Sequence, residues 1–438
     1  MRARSVLATL AAALIPCALA LSSAAGTARA QSFDWQKYKG KTISFLNENN
    51  PWWNELRPFV PQFEKLTGIR VQVVTFQEQQ MRQRLVTILQ SKSAEVDTFM
   101  SLTSLEGALY AHAGWYAALG PLMKGNSAPG YDLADFSSAL IKGETYGGKL
   151  IGIPLNIEGP IIYYRTDVFR KCGVAPPKTL ASLTAAAAKT KACEPHMVPW
   201  VTRGLAPALP YTFSNVLHNF GADYFNAAGK PNLCAPAAVS AIAWYADMLK
   251  KYGPPGAVNY SFVQIADLYG QGRAAMAFES SNEFTPIMDA PGRSADTGLM
   301  LLPPGPGGSK PTVIGWGLSM SAFSREKPAT WYFIQWATTK AMESKLALRG
   351  IAPPRASVAS SPAYKAWLDQ LPVRQRWQQL IAEMAASGTS EVGPPIDRQP
   401  QARQIIGDAI DHVLLGQATA KAAACRADKS IEAMLADR

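Results

Sequence analysis

The stretches KTISFLN (residues 41–47), IRVQVVTF (residues 69–76) and VDTFMS (residues 96–101) decide the fold. Each combines alternating or β-branched apolar residues over a short run, so we expect three strands. The segments between them, residues 52–66 and 79–90, carry apolar positions at the spacing of amphipathic helices. Strands and helices that alternate over short connections predict a parallel sheet with helices on both faces.

A second series of the same kind follows. Residues 149–154 (KLIGIP) and 161–164 (IIYY) predict strands, and residues 179–191 and 237–251 predict helices. A chain of 438 residues exceeds the roughly 250–300 residues that a single hydrophobic core serves. We therefore predict an α/β fold of two lobes, each a mainly parallel sheet flanked by helices.

The amino terminus has the pattern of a signal peptide. Arg2 and Arg4 precede an apolar run over residues 6–21, and Ala28-Arg29-Ala30 provides small residues for cleavage. The run is shorter than the roughly 20 residues that cross a bilayer. We expect residues 1–30 to be removed and the protein to be periplasmic. Cys17 leaves lipidation as a minor alternative, because the residues before it do not fit a lipobox.

The charge of the chain excludes one class of partner. Removal of residues 1–30 lowers the formal charge from +11 to +8, and the remaining cationic residues are scattered. A nucleic-acid groove would need a basic block with interleaved aromatic residues. We therefore expect no nucleic-acid partner.

The cysteines and histidines predict neither a metal nor a cofactor. The histidines are isolated, and the cysteine spacing fits no metal-ligand pattern. In an oxidising compartment the four cysteines after residue 30 permit two disulfides in three connectivities, which the sequence leaves open. These cysteines are Cys172, Cys193, Cys234 and Cys425.

Catalytic motifs give only weak matches. GPGGSK (residues 305–310) lacks the glycine spacing of a phosphate loop, and GQGRAA (residues 270–275) precedes a strand where a dinucleotide fingerprint would follow one. A pair of carboxylates for glycoside hydrolysis would meet only in space, so a secreted carbohydrate-active enzyme stays an alternative.

Four stretches of the chain resemble the extracellular solute-binding proteins of sugar ABC importers, the family of maltose-binding protein. Their order and separation carry the resemblance, which extends over nearly the whole chain after residue 30. The stretches are residues 146–179, 269–281, 301–340 and 350–358.

The resemblance implies a type II periplasmic-binding-protein fold with the ligand in the cleft between the lobes. It places residues 31–156 and 302–340 in lobe 1, and residues 157–301 and 341–438 in lobe 2. It also implies a monomer without catalytic activity, a sugar or sugar alcohol as ligand, and permease subunits of the inner membrane as partners. A receptor for glycerol phosphate or an oligosaccharide is the alternative within this class.

Candidate ligand contacts on the amino-terminal side follow the predicted strands, because parallel sheets bind ligands at the carboxyl ends of their strands. Asn49 and Trp52 follow the first strand, with a helix cap and core packing as their alternatives. Gln79 follows the second strand and is also placed to cap a helix. Ser104 follows the third, where many relatives carry an aspartate, and this departure argues for a ligand other than maltose.

The resemblance supplies the remaining candidates. Glu158 matches a carboxylate that binds vicinal hydroxyls in related proteins, with a hinge salt bridge as the alternative. Trp316 matches an aromatic ligand platform and Arg355 a family arginine, with core packing and a lobe–lobe salt bridge as their alternatives. Glu279 lies near a ligand-contact position of relatives, and Trp200 is a candidate for which a core position is the main alternative.

Overall fold

A computed structural model of the chain describes residues 33–437. The predicted signal peptide and Cys17 lie outside these residues. The described strands are β1 Thr42–Glu48, β2 Arg70–Phe76, β3 Thr98–Ser101, β4 Thr145–Tyr146, β5 Lys149–Leu150, β6 Gly152–Pro154, β7 Pro160–Arg165, β8 Val201–Thr202, β9 Met276–Ser280, β10 Thr297–Met300 and β11 Gly317–Met320.

Helices account for most of the remaining regular structure. They are α1 Pro51–Leu56, α2 Val60–Thr67, α3 Glu78–Gln90, α4 Thr103–His112, α5 Leu119–Met123, α6 Ser138–Gly143, α7 Thr166–Lys171, α8 Leu180–Cys193, α9 Pro210–Asn219, α10 Pro236–Tyr252, α11 Phe262–Gly270, α12 Phe284–Met288, α13 Arg293–Asp296, α14 Lys327–Ala337, α15 Lys340–Ala347, α16 Ala356–Ala359, α17 Pro362–Asp369, α18 Pro372–Ser387, α19 Gln399–Leu414 and α20 Ala420–Ala436.

The first sheet has the order β2-β1-β3-β11-β6. β1 pairs in parallel with both β2 and β3, as the alternation of strands and helices predicts. β11 lies between β3 and β6 and runs antiparallel to both.

The second sheet has the order β10-β7-β9-β8. β7 runs antiparallel to its neighbours β10 and β9, and β8 pairs with β9 in parallel. The two-lobe α/β fold with mainly parallel sheets is confirmed, because among the described strands β11 is the one that opposes the rest of the first sheet and β7 the one that opposes the rest of the second. These two strands differ because β7 and β11 each enter their sheet from the other one, so no helical crossover within the sheet fixes their direction.

The first predicted helix, residues 52–66, is interrupted. A 3-10 turn at Arg57–Phe59 separates α1 from α2. Pro58 and Pro61 each lack the N–H that an uninterrupted helix would use, which accounts for the break. The helix then ends at Gly68, whose φ of +67° suits the left-handed cap.

Two disulfides resolve the open connectivity. Cys172 pairs with Cys193, and Cys234 pairs with Cys425, which joins the start of α10 to α20. None of the helices between residues 33 and 437 combines the length and the apolar character that a bilayer crossing requires.

Candidate functional site

A cavity of about 30 Å³ lies between the two sheets. Its lining comes from the ends of β1, β3, β8 and β9, from the segments that connect the sheets, and from α3, α9, α11 and α19. The lining residues are Glu48, Asn50, Glu78, Leu102, Glu158, Arg203, Tyr211, Phe262, Ser280, Asn282, Glu283, Ile314, Trp316 and Arg403.

Two crossing segments, residues 155–159 and 301–316, connect the sheets and pair with each other beside the cavity. The backbone N–H of Glu158 donates to Ile314 (2.9 Å), and that of Ile314 donates to Glu158 (2.8 Å). A Cβ on Gly159 would lie 2.2 Å from the carbonyl oxygen of Thr312, so only glycine permits this approach. The pairing fixes where the crossing segments point their side chains.

Asn156 joins the two crossing segments to the site. Its Nδ2 donates to Glu158 Oε2 (2.9 Å), and its Oδ1 accepts from the backbone N–H of Trp316 (3.0 Å). The Tyr211 hydroxyl lies 3.4 Å from the other Glu158 oxygen. Glu158 and Trp316 are therefore held at one end of the cavity by a single amide side chain.

The second sheet contributes a guanidinium group. Arg203, directly after β8, is paired with the fully buried Glu279 of β9 through contacts of 2.6 and 3.0 Å. Its guanidinium lies 4.2 Å from the centroid of the Tyr211 ring. The carboxylate behind it and the ring over it orient Arg203 toward the cavity.

The first sheet contributes carboxyl groups. Glu48, the last residue of β1, accepts from Asn50 Nδ2 (2.8 Å), while Asn50 Oδ1 caps α1 by accepting from the Trp53 backbone N–H (2.9 Å). Glu78 opens α3 and pairs with Arg82 at 3.1 Å. Arg82 also bonds Glu106 and lies 5.0 Å from the Trp316 ring.

Burial changes the acidity of the lining carboxyls. Burial, reinforced by the nearby Glu78, raises the pKa of Glu48 to about 8. Burial raises the pKa of Glu158 to about 7 and that of Glu283 well above its ordinary range. Burial by itself would raise the pKa of Glu78, but the positive charges of Arg82 and Arg203 outweigh this effect and lower the pKa. The cavity thus presents both protonated carboxyls and carboxylates near neutral pH.

Arg403 of α19 completes the lining. Its guanidinium donates to the carbonyl oxygens of Pro207 (2.9 Å) and Val392 (2.7 Å). Burial lowers its pKa to about 10, although Glu78 acts in the opposite direction. Because arginines face the acidic residues, the lining does not concentrate negative charge as a cation site would require.

Of the nine predicted contact residues, Glu158 and Trp316 line the cavity. Arg203 lines it as well. Glu279 does not line the cavity but lies behind Arg203, with which it forms an ion pair.

Three candidates near the first strands lie elsewhere. Asn49 does not line the cavity. The residue that caps α1 is its neighbour Asn50, which precedes Pro51. Trp52 is buried in the core. Gln79 lies in a groove beside α3 and α4, and the preceding Glu78 faces the cavity instead.

The remaining candidates also lie outside the cavity lining. Ser104 borders a neighbouring cavity of about 490 Å³. Trp200 stacks on Phe278 in the core of the second sheet. Arg355 is buried, donates to the carbonyl oxygens of Thr338 and Asp132, and forms a salt bridge with Asp135 at 3.2 Å.

Several lining residues were missed by sequence reasoning, notably Glu283 and Arg403. Glu283 follows β9 in a short 3-10 turn, and Arg403 lies on a carboxyl-terminal helix far along the chain. The strand-end rule provided a signal for the first of these. No local pattern marked the second.

A small cavity with carboxyls, guanidinium groups and a tryptophan between two α/β lobes is the arrangement of a solute receptor. The chain belongs to the family of bacterial extracellular solute-binding proteins, whose sequence model matches residues 51–343.

Two relatives are similar over most of their length. The erythritol/L-threitol-binding protein of Mycolicibacterium smegmatis is 27% identical over 361 residues, which cover 77% of this chain and 75% of the relative. The mannitol-binding protein of Pseudomonas aeruginosa is 28% identical over 346 residues, which cover 76% and 77%.

A solved structure extends the likeness to the fold. The structure of an ABC transporter solute-binding protein from Agrobacterium vitis with bound D-mannitol superposes with a TM-score of 0.79 at 25% identity. The match covers 91% of this chain and 99% of that one.

Proposed function

We propose that this protein is the receptor subunit of an ABC importer and captures a sugar or sugar alcohol in the periplasm. One observation carries the proposal: carboxyl, guanidinium and aromatic side chains from both sheets converge on one cavity. The hydroxyl groups of a sugar or sugar alcohol can donate to the carboxyl groups and accept from the guanidinium groups. Its C–H groups can pack against the aromatic ring. The names of the two relatives support a sugar alcohol in particular.

The balance of charge favours a neutral ligand over glycerol phosphate. Four glutamates line the cavity, Glu48, Glu78, Glu158 and Glu283, against the two arginines Arg203 and Arg403. Burial raises the pKa of Glu48 and of Glu283, so these two are protonated near neutral pH, whereas Arg82 and Arg203 lower the pKa of Glu78. Arg203 is already neutralised by Glu279, and Arg403 donates to backbone carbonyls, so a phosphate would find no unpaired cation among these lining residues. A neutral polyol requires none.

We assign Glu158 to accept hydrogen bonds from neighbouring hydroxyls and Trp316 to cover a C–H face of the ligand. Arg203 then donates to a ligand oxygen from the opposite wall. Hydrogen bonds to charged groups contribute about 1.5–3 kcal/mol each, which makes Glu158 and Arg203 the main polar contributors.

Entry of a ligand requires the walls to separate. The cavity of about 30 Å³ holds only a few water molecules, whereas ligand pockets commonly measure about 300–1,000 Å³. In our proposal the lobes, residues 31–156 with 302–340 and residues 157–301 with 341–438, rotate about the crossing segments and close on the ligand. The closed monomer then presents both lobes to the permease, after export directed by residues 1–30 and without any chemical step.

A thermal-shift screen against sugars, sugar alcohols, oligosaccharides and glycerol phosphates tests the proposal. A ligand at one hundred times its Kd stabilises the folded state by about 2.7 kcal/mol. Glu158→Gln keeps the shape of the side chain but removes its charge, and we expect it to weaken binding by roughly tenfold to a hundredfold. Glu383→Gln is the matched control, because Glu383 pairs with Arg376 on the surface.

The outcomes separate the alternatives. A shift produced by one polyol, reduced by Glu158→Gln and unchanged by Glu383→Gln, supports the proposal. A response only to phosphorylated ligands, or only to oligosaccharides, would replace it with the corresponding alternative receptor. Mass spectrometry of the ligand released after incubation tests the enzymatic alternative, since a receptor returns the ligand unchanged.

A further inference from the structure

His218, Asp223 and Glu391 form a cluster of three side chains outside the cavity. One ligand atom from each lies within 4.8 Å of the other two. His218 Nε2 lies 3.1 Å from Glu391 Oε2, and the imidazole is almost completely buried, with 1% of its side chain exposed. The cluster therefore combines an inward-facing histidine with two carboxylates.

The backbone brings these residues together for identifiable reasons. His218 lies in the last turn of α9, and Gly221, with a φ of +76°, reverses the chain just after the helix so that Asp223 returns toward the ring. Glu391 belongs to a segment held against a crossing segment, since the backbone N–H of Thr389 donates to Pro311 (2.9 Å). Two independent turns thus converge on one imidazole.

The buried ring lacks the partners that such a group requires. Among the described residues, neither nitrogen of His218 makes a hydrogen bond of acceptable geometry, and the near oxygen of Glu391 also lacks one. Buried polar groups of this kind are normally satisfied, because leaving one unpaired costs about 1–3 kcal/mol. The short Nε2–Oε2 distance with poor hydrogen-bond geometry is the arrangement of two ligands that face a common ion.

We propose that His218, Asp223 and Glu391 bind a divalent transition-metal ion of the zinc class. Imidazole with two carboxylates is a donor set suited to Zn²⁺, with water in the fourth position. Asp223 Oδ1 already accepts from the Tyr224 backbone N–H (2.7 Å), which orients the carboxylate and leaves Oδ2 for the ion. The bound ion joins the end of α9 to the segment that contains Glu391.

Lys310 is a cation that competes with the ion for Glu391. Its ammonium lies 4.0 Å from Glu391 Oε2, but its side chain is about half exposed and free to turn toward solvent. When Lys310 turns away, the near oxygen of Glu391 is left to the ion.

The test uses the mature chain without a histidine tag, treated with EDTA and dialysed against Zn²⁺. Elemental analysis and calorimetry should find one ion per chain, and substitution with Co²⁺ should give the visible absorption of a four-coordinate site. Asp223→Asn and Glu391→Gln preserve shape and should each weaken Zn²⁺ binding at least about tenfold. Circular dichroism confirms that each variant is folded.

His112→Ala is the matched control. His112 also pairs with a carboxylate, Asp397 at 2.7 Å, but both side chains are about half exposed and belong to no three-residue cluster of the described chain. Zn²⁺ binding that survives His112→Ala and is lost in Asp223→Asn supports the site. Absence of stoichiometric Zn²⁺, or binding unchanged by both Asp223→Asn and Glu391→Gln, overturns it.

Discussion

The pair of Arg203 and Glu279 provides the sharpest test of how the cavity is built. Glu279→Gln preserves the shape of a fully buried side chain and removes the charge that neutralises Arg203. At a separation near 3 Å and an effective dielectric constant of about 20, the attraction lost is about 5 kcal/mol. Because the buried arginine loses the carboxylate that is hydrogen-bonded to it, we expect a loss of about 3–5 kcal/mol in the free energy of unfolding.

Urea denaturation of the unliganded protein, followed by tryptophan fluorescence, measures this loss. Arg203→Met removes the cation, and the double variant leaves no charge unpaired, so it should be more stable than the sum of the single losses implies. Glu383→Gln and Arg376→Met supply the surface comparison. That exposed pair should contribute no more than about 1 kcal/mol.

The result that refutes this reasoning is a coupling energy within about 0.5 kcal/mol of zero for Arg203 and Glu279. It would mean that Tyr211 and the surrounding backbone hold the guanidinium without the carboxylate. A coupling energy of about 2 kcal/mol or more, together with weaker ligand binding by Glu279→Gln, would show that the carboxylate both stabilises and orients Arg203.

Two further predictions concern the cavity walls. The pKa of Glu48 is raised from its ordinary value of 4.5 to about 8, so the folded state retains a proton that the unfolded state releases, and stability falls as pH rises through this window. Glu48→Gln should abolish this loss of stability, which is on the order of a few kcal/mol. The Tm of the variant should therefore depend less on pH between about pH 5 and about pH 8.5. An unchanged slope would contradict the raised pKa of Glu48. Gly159→Ala adds a Cβ that would lie 2.2 Å from the Thr312 carbonyl oxygen, and we expect a loss of about 1–3 kcal/mol in urea denaturation. Gly143→Ala, where the same atom meets nothing within 4 Å, is the control, and equal effects of the two substitutions would argue against close pairing of the crossing segments.

The elements that sequence reasoning located correctly are those with a local periodic signal. The residues of α3 and β2 were predicted to within one position, because a helical spacing of apolar residues and a run of β-branched residues each have a single local interpretation. The antiparallel direction of β11 has no such local signal, since its partners β3 and β6 are set by the route of the chain through the other sheet.

The residues of the candidate site show the same difference between local signals and contacts that depend on the whole fold. Glu158, which lines the cavity, was selected because it lies within a short motif next to a strand. Arg203 and Glu279 are 76 residues apart, and their pairing depends on how β8 and β9 meet. For Arg355 the sequence left a ligand role and a salt bridge open, because an arginine in a familiar motif says nothing about whether a carboxylate, backbone carbonyls or a ligand will use its donors.

The position of β11 has a consequence for how this protein is made. Thr98 of β3 donates a hydrogen bond to the backbone of Ser319, a residue 221 positions later. The amino-terminal strands therefore emerge from the ribosome long before the strand that must lie between β3 and β6 exists. Contacts of such long sequence separation form slowly and late. A nascent chain that stops short of residue 317 lacks the strand that connects β6 to the rest of the first sheet, so this sheet stays incomplete until more than two thirds of the 438 residues have been synthesised.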